Sequence, residues 1–158
     1  MRCGPLTATT SGVAVAAVEG LHLLLTPDGL VHRRGSTPLA DTVPWEETSR
    51  IELGLRVSRL PFPGALATVG YALLALVSQQ VDDVRHGEST IVVAGTDGTR
   101  RDLPVNHAVG GYGRRAVALA GVLLDRLVAE PAQRGQLAEP ERVVQGYADA
   151  VRRRRASA

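Results

Sequence analysis

The residues of this chain that could do chemistry are four histidines, one cysteine and a few clustered acids. His22, His32, His86 and His107 could ligate a metal or move protons. No two of them lie four apart, the spacing that turns a helical pair toward one ion, and there is no His-Glu-x-x-His. Cys3 is the single thiol, so neither an intramolecular disulfide nor a cysteine zinc cluster can form within the chain. Glu46-Glu47 and Asp82-Asp83 are sequence neighbours, which do not face one another on a helix or a strand. They read as surface turns and not as a carboxylate dyad. There is no Gly-x-Ser-x-Gly elbow to present a serine nucleophile. The chain has no lysine, which excludes a Schiff-base lysine and a Walker A loop. The expectation is a protein that is not an enzyme and that carries no cofactor or metal.

Two features could bind anions instead. Gly110-Gly111-Tyr112-Gly113 leads into Arg114 and Arg115, and free N–H groups at a helix start beside two guanidinium groups suit an anion. The loop spacing matches neither a dinucleotide fingerprint nor a phosphate loop, and a hinge is its plainer reading. The second feature is the run Arg152, Arg153, Arg154 and Arg155, which is either a solvated tail or an anchor for anionic lipid or nucleic acid. Net charge is +2 but unevenly placed, with nine arginines against eleven acids in residues 1–108 and nine against five in 109–158. Aromatic residues make up only 3%, which disfavours a base-stacking platform, so a nucleic-acid partner is not expected.

The elements that must position these residues fit one α+β domain. Leu21–Thr26 and Leu30–Gly35 flank Pro27-Asp28-Gly29, a turn in which each residue has a conformational reason to sit. Val13–Val18 could add a strand before it. Arg50–Ser58 alternates polar and apolar, with Ile51, Leu53, Leu55 and Val57 on one face of a half-buried strand. Ile91–Ala94 and Arg100–Val105 flank Asp97-Gly98, the signature of a type I′ hairpin turn. Arg114–Ala129 is an amphipathic helix, with Ala116, Leu119, Ala120, Leu123, Leu124, Leu127 and Val128 on its apolar arc. A last helix opens at Pro140 and carries Val143, Val144, Tyr147, Ala150 and Val151 as a stripe. The lone Trp45 reads as a packing residue.

Ala65–Val77 is the most hydrophobic window, rich in Ala and Leu and therefore helical by propensity. Its thirteen residues fall short of the roughly 20 that span a bilayer. The first twenty residues lack the strongly apolar core of a signal peptide, and the cytoplasm is the expected compartment.

The segments Leu21–Arg34, Val43–Val57, Thr90–Val105 and Arg114–Ala129, with the Val43-Pro44-Trp45-Glu46-Glu47 entry into a strand, resemble the bacterial pleckstrin-homology-like (PH-like) domain family of actinobacterial type. The resemblance covers about half the chain. It implies an antiparallel β-barrel or sandwich closed by a long C-terminal amphipathic helix, followed here by an additional C-terminal helix. On that scheme residues 1–12 are a flexible N-terminus and 13–130 are the PH-like domain with an apolar helical insertion near 64–80. Residues 139–155 are then the C-terminal helix and its arginine-rich tail. Phosphoinositide-binding members use basic residues around the first hairpin loop, whereas here the tip is Pro27-Asp28-Gly29 with Arg33 and Arg34 nearby. The function expected is a non-catalytic protein-interaction or scaffolding module, contacting a protein partner or a second copy through Leu73, Leu74, Leu76, Val143, Val144, Tyr147 and Val151. The alternative is a membrane-peripheral domain holding anionic lipid through Arg114, Arg115 and Arg152 to Arg155.

Overall fold

A computed structural model of the protein describes residues 1–58, 88–107 and 111–156. The apolar window Ala65–Val77, and with it Leu73, Leu74, Leu76 and His86, lies outside the described residues.

The chain begins with a meander. Strands β1 (Arg2–Cys3), β2 (Leu6–Thr9), β3 (Gly12–Ala16), β4 (Leu21–Leu25), β5 (Gly29–Arg34) and β6 (Thr37–Pro38) pair in chain order, and β7 (Val43–Pro44) returns to β5. The Pro-Asp-Gly hairpin forms where the sequence placed it, with Leu25 opposite Leu30 and Leu23 opposite His32. The first twelve residues, expected to be a flexible end, supply two strands and the turn that enters a third. Leu6 pairs with Val15 and is fully buried, so this end is fixed by core packing. Gly12 makes the turn with φ of 147°, where an added Cβ would drive into the Leu25 carbonyl.

A second sheet has the order β11-β10-β8, from β8 (Thr48–Gly54), β10 (Glu88–Gly95) and β11 (Arg100–Asn106). Ile51 is opposite Val93 and Leu53 opposite Ile91, so the alternation of the β8 sequence becomes an apolar face. Regular pairing stops at Gly54. The strand expected through Ser58 instead breaks at Leu55-Arg56, and β9 (Val57–Ser58) pairs in parallel with β12 (Tyr112–Gly113). The Asp97-Gly98 turn is not type I′. Only Gly98 has positive φ, at 84°, and Gly98 N–H donates to Gly95 O while Gly95 N–H donates to Thr99 O. That is a three-residue loop with the glycine in the left-handed position.

Helix α1 (Arg114–Ala129) buries Ala116, Ala120, Leu124 and Leu127 and packs on β8. After a 3-10 segment over Pro131–Ala138, helix α2 (Pro140–Ala156) packs on β1, β2 and β3. Sheets and helices share one core, which includes Leu6, Val13, Leu23, Trp45, Ile91, Leu124 and Val144.

The α+β character and the C-terminal helices agree with the sequence reading. The closed PH-like barrel or sandwich does not form: both sheets are open. The N-terminal strands extend the first sheet sideways as a meander, and its last strands, β6 and β7, are two residues each and contain Pro38 and Pro44, which have no N–H to donate to a ladder. No ladder joins the two large sheets among the described residues. They are tied by isolated hydrogen bonds instead, among them Ala17 N–H to Asn106 O at 2.9 Å. His32 Nε2 lies 2.8 Å from Pro104 O, and Asn106 Oδ1 accepts from Leu21 N–H at 2.6 Å.

Candidate functional site

The hydrogen bond from the Tyr147 hydroxyl to Ala116 O, at 2.6 Å, fixes how the two helices lie. Arg134, in the connection between them, is bonded to the last turn of α1, whereas Tyr147 meets its first turn. Helix α2 therefore reaches the first turn of α1 from a connection anchored at its last turn. Burial raises the Tyr147 phenol far above its ordinary value, so it stays a donor. The turn between β1 and β2 closes the same corner, because a Cβ on Gly4 would lie 2.8 Å from Ala116 Cβ and 3.0 Å from the Tyr147 hydroxyl.

This corner gathers the arginines that the sequence kept apart. Arg114 and Arg115 precede Ala116 by two residues and one and are exposed. Arg152 and Arg153 are exposed on α2 beyond Tyr147, and the helix continues through Arg154 and Arg155. Arg2 is exposed two residues before Gly4. Arg56 is exposed on the segment whose carbonyl accepts from Tyr112 N–H at 2.9 Å. Arg152 pairs with Asp149 at 3.4 Å. Exposed arginines from four separate stretches of chain thus lie within a few residues of these contacts. The sequence reading named Arg114, Arg115 and Arg152 to Arg155; Arg2 and Arg56 are added by the N-terminal hairpin and the parallel β9–β12 pair, neither of which periodicity could foretell.

The apolar stripe of the last helix goes elsewhere. Val144 is fully buried, and Val143, Tyr147 and Val151 are no more than 9% exposed. These residues cover the chain's own β1, β2 and β3, so the stripe proposed as an interaction surface is core.

One arrangement of chemical side chains was missed. Ser89 Oγ lies 3.1 Å from His107 Nδ1, and both residues are buried. Ser89 Oγ also accepts from Arg56 N–H at 3.1 Å, which holds its hydroxyl toward the imidazole. The pair secures the break between β8 and β9 against the second sheet. His22 is a core histidine with Nδ1 at 3.1 Å from Gly20 O, and its pKa is lowered, chiefly by burial. Among the described residues no group of three or more His, Cys, Asp or Glu could hold a metal ion, and no helix is long and apolar enough to cross a membrane.

Comparison with protein-family models, with curated proteins and with solved structures returned no match.

Proposed function

We propose that this protein is a non-catalytic, membrane-peripheral domain that docks its arginine-rich end on an anionic lipid surface. The feature that supports the reading is the placement of exposed Arg2, Arg114, Arg115, Arg152 and Arg153 within a few residues of the Gly4, Ala116 and Tyr147 contacts, with Arg56 on the strand pair beside Arg114. Each basic residue near an anionic leaflet contributes about 1 kcal/mol, so several acting together hold a domain where one would not. The sequence supports a lipid partner over nucleic acid: aromatics are 3% of the chain, too few for base stacking. Residues 59–87, which contain the apolar run Ala65–Val77, follow directly on Ser58, and Ser58 is paired with Gly113 beside Arg114. An apolar run joined to the chain beside a basic surface is the combination that peripheral proteins use. The scaffolding reading has lost one of its two supports, since the Val143–Val151 stripe is core.

Flotation with vesicles of phosphatidylcholine alone and with one-third phosphatidylglycerol tests this. Binding is expected only to the anionic vesicles and is lost in a variant carrying Arg114→Glu, Arg115→Glu, Arg152→Glu and Arg153→Glu. No binding to anionic vesicles at low salt refutes the reading. Salt-sensitive retention on duplex DNA with no vesicle binding would give the same surface to nucleic acid.

A further inference from the structure

The joint between the two large sheets is built around Asn106 at the end of β11. Its backbone carbonyl accepts from Ala17 N–H at 2.9 Å, and its side-chain Oδ1 accepts from Leu21 N–H at 2.6 Å. Gly20 lies between these two donors in sequence and leaves the room that Asn106 fills, since a Cβ there would meet the Asn106 side chain. The Gly20 carbonyl in turn accepts from Gly35 N–H at 3.0 Å and from His22 Nδ1–H at 3.1 Å. Ala16, directly before this turn, has φ of 90°, a left-handed conformation costly for a residue with a Cβ. The joint therefore lies next to a strained residue.

His22 sits inside this joint at 3% exposure, on β4 between Ala16 of β3 and Arg33 of β5. The charged and titratable groups around it are mostly basic. Arg33 is its direct cross-strand partner and His32 is adjacent, while Glu19 in the turn is the one acid acting on it. β11, packed against β4, brings Asn106 and Pro104 to this end, and its charged residues Arg100, Arg101 and Asp102 lie toward the other. Arg33 Nε is itself buried without a hydrogen-bond partner, so a second positive charge beside it adds to a group already short of solvation.

We propose that His22 is an acid-sensitive latch: its protonation, unfavourable beside Arg33 and away from water, opens the Gly20–Asn106 joint while the strand ladders on either side persist. A protonated imidazole left in place keeps its Nδ1–H bond to Gly20 O but is cut off from water; it gains solvation only by swinging its ring out of the joint, which releases the Gly20 carbonyl and loosens the turn that presents Ala17 and Leu21. The direction follows from linkage. The folded pKa is below the ordinary 6.5, so the closed joint is fully favoured above that value and is lost as pH falls from 6.5 toward the lowered one. Opening becomes about tenfold easier for each pKa unit separating the two states.

The test is amide hydrogen exchange followed by NMR between pH 7.5 and 5, corrected for intrinsic exchange, together with titration of the His22 ring. The protection of Ala17 and Leu21 is expected to fall about tenfold or more as His22 titrates, while Val15 and Leu24 keep theirs. In His22→Gln that pH dependence disappears. Arg33→Gln, which keeps the imidazole, moves the midpoint upward and serves equally if His22→Gln does not fold. Protection of Ala17 and Leu21 that is flat across the titration, or lost together with the whole sheet, overturns the proposal.

Discussion

The guanidinium of Arg134 lies 5.5 Å from the centroid of the Trp45 ring and closes the C-terminal end of α1 at the same time. Leu127 O would take its helical bond from the amide four residues on, but that residue is Pro131, which has no N–H. Arg134 Nε donates to Leu127 O at 2.9 Å and Nη2 to Val128 O at 3.1 Å. Trp45 is held for the contact by Nε1–H donating to Thr26 O at 2.8 Å. One arginine therefore ties the helix end, the entry to β8 and the first hairpin together.

Arg134→Ala is expected to cost about 2–3 kcal/mol, read as a shift in the urea midpoint with an unchanged slope. The cost combines two carbonyls left without donors with the lost contact on the tryptophan face. Glu46→Gln should change stability by less than about 0.5 kcal/mol, because Glu46 is 76% exposed and its ion pair is screened by water. Equal costs for the two variants would mean that the ion pair, not the helix end, is what Arg134 serves. Arg134→Lys should recover little, since an ammonium lacks the planar fork that reaches both carbonyls and the ring.

Gly12 and Gly98 separate backbone freedom from close approach. Gly98→Ala places a Cβ in open space at φ of 84° and should cost about 1–2 kcal/mol. Gly12→Ala carries a comparable backbone cost and also meets the Leu25 carbonyl, so its loss should exceed that of Gly98→Ala. Thermal midpoints in the same buffer give the comparison.

Tyr147→Phe removes only the hydroxyl that donates to Ala116 O. The expected loss is about 1 kcal/mol in denaturant unfolding. Vesicle binding should be nearly unchanged, because no charge is altered and the helices remain packed. A much larger loss of binding than of stability would place the phenol at the lipid contact.

Binding to anionic vesicles should weaken steeply between low and physiological salt. The arginines involved are exposed, and the screening length falls from about 30 Å at 0.01 M to about 8 Å at 0.15 M. Affinity that is indifferent to salt would place the contact on apolar residues.

Much of the fold could be read from local chemistry. The Pro27-Asp28-Gly29 turn, the place though not the type of the Asp97-Gly98 turn, the alternation at Ile51 and Leu53, and the limits of α1 all follow from rules acting within a few residues. What the sequence did not disclose depends on partners distant in the chain. Leu6 in a stretch of Gly and Thr has no periodicity to announce a strand, and its role is set by Val15 across the sheet. The parallel pairing of Val57 with Tyr112 spans much of the chain and leaves no local mark. The barrel expectation failed because short strands predict pairing but not closure, which depends on what happens at the edges. For the site, arginine runs were visible, but their meeting depends on Tyr147 reaching Ala116. Pro131 did carry one overlooked signal: a proline there orphans a carbonyl, and Arg134 is close enough to answer it.

The chain-order pairing of the first sheet also bears on how the molecule assembles. From β1 to β6 every strand finds its partner across a short turn, so each step closes a small loop at low entropic cost. The second sheet must bring Gly54 to Thr90, and the β9–β12 pair must bring Val57 to Tyr112, before α1 has anything to pack on. On loop-closure cost the N-terminal meander is expected to pair before the arginine-rich end is complete, which pulse-labelled hydrogen exchange during refolding would read as earlier protection of Val15 than of Tyr112.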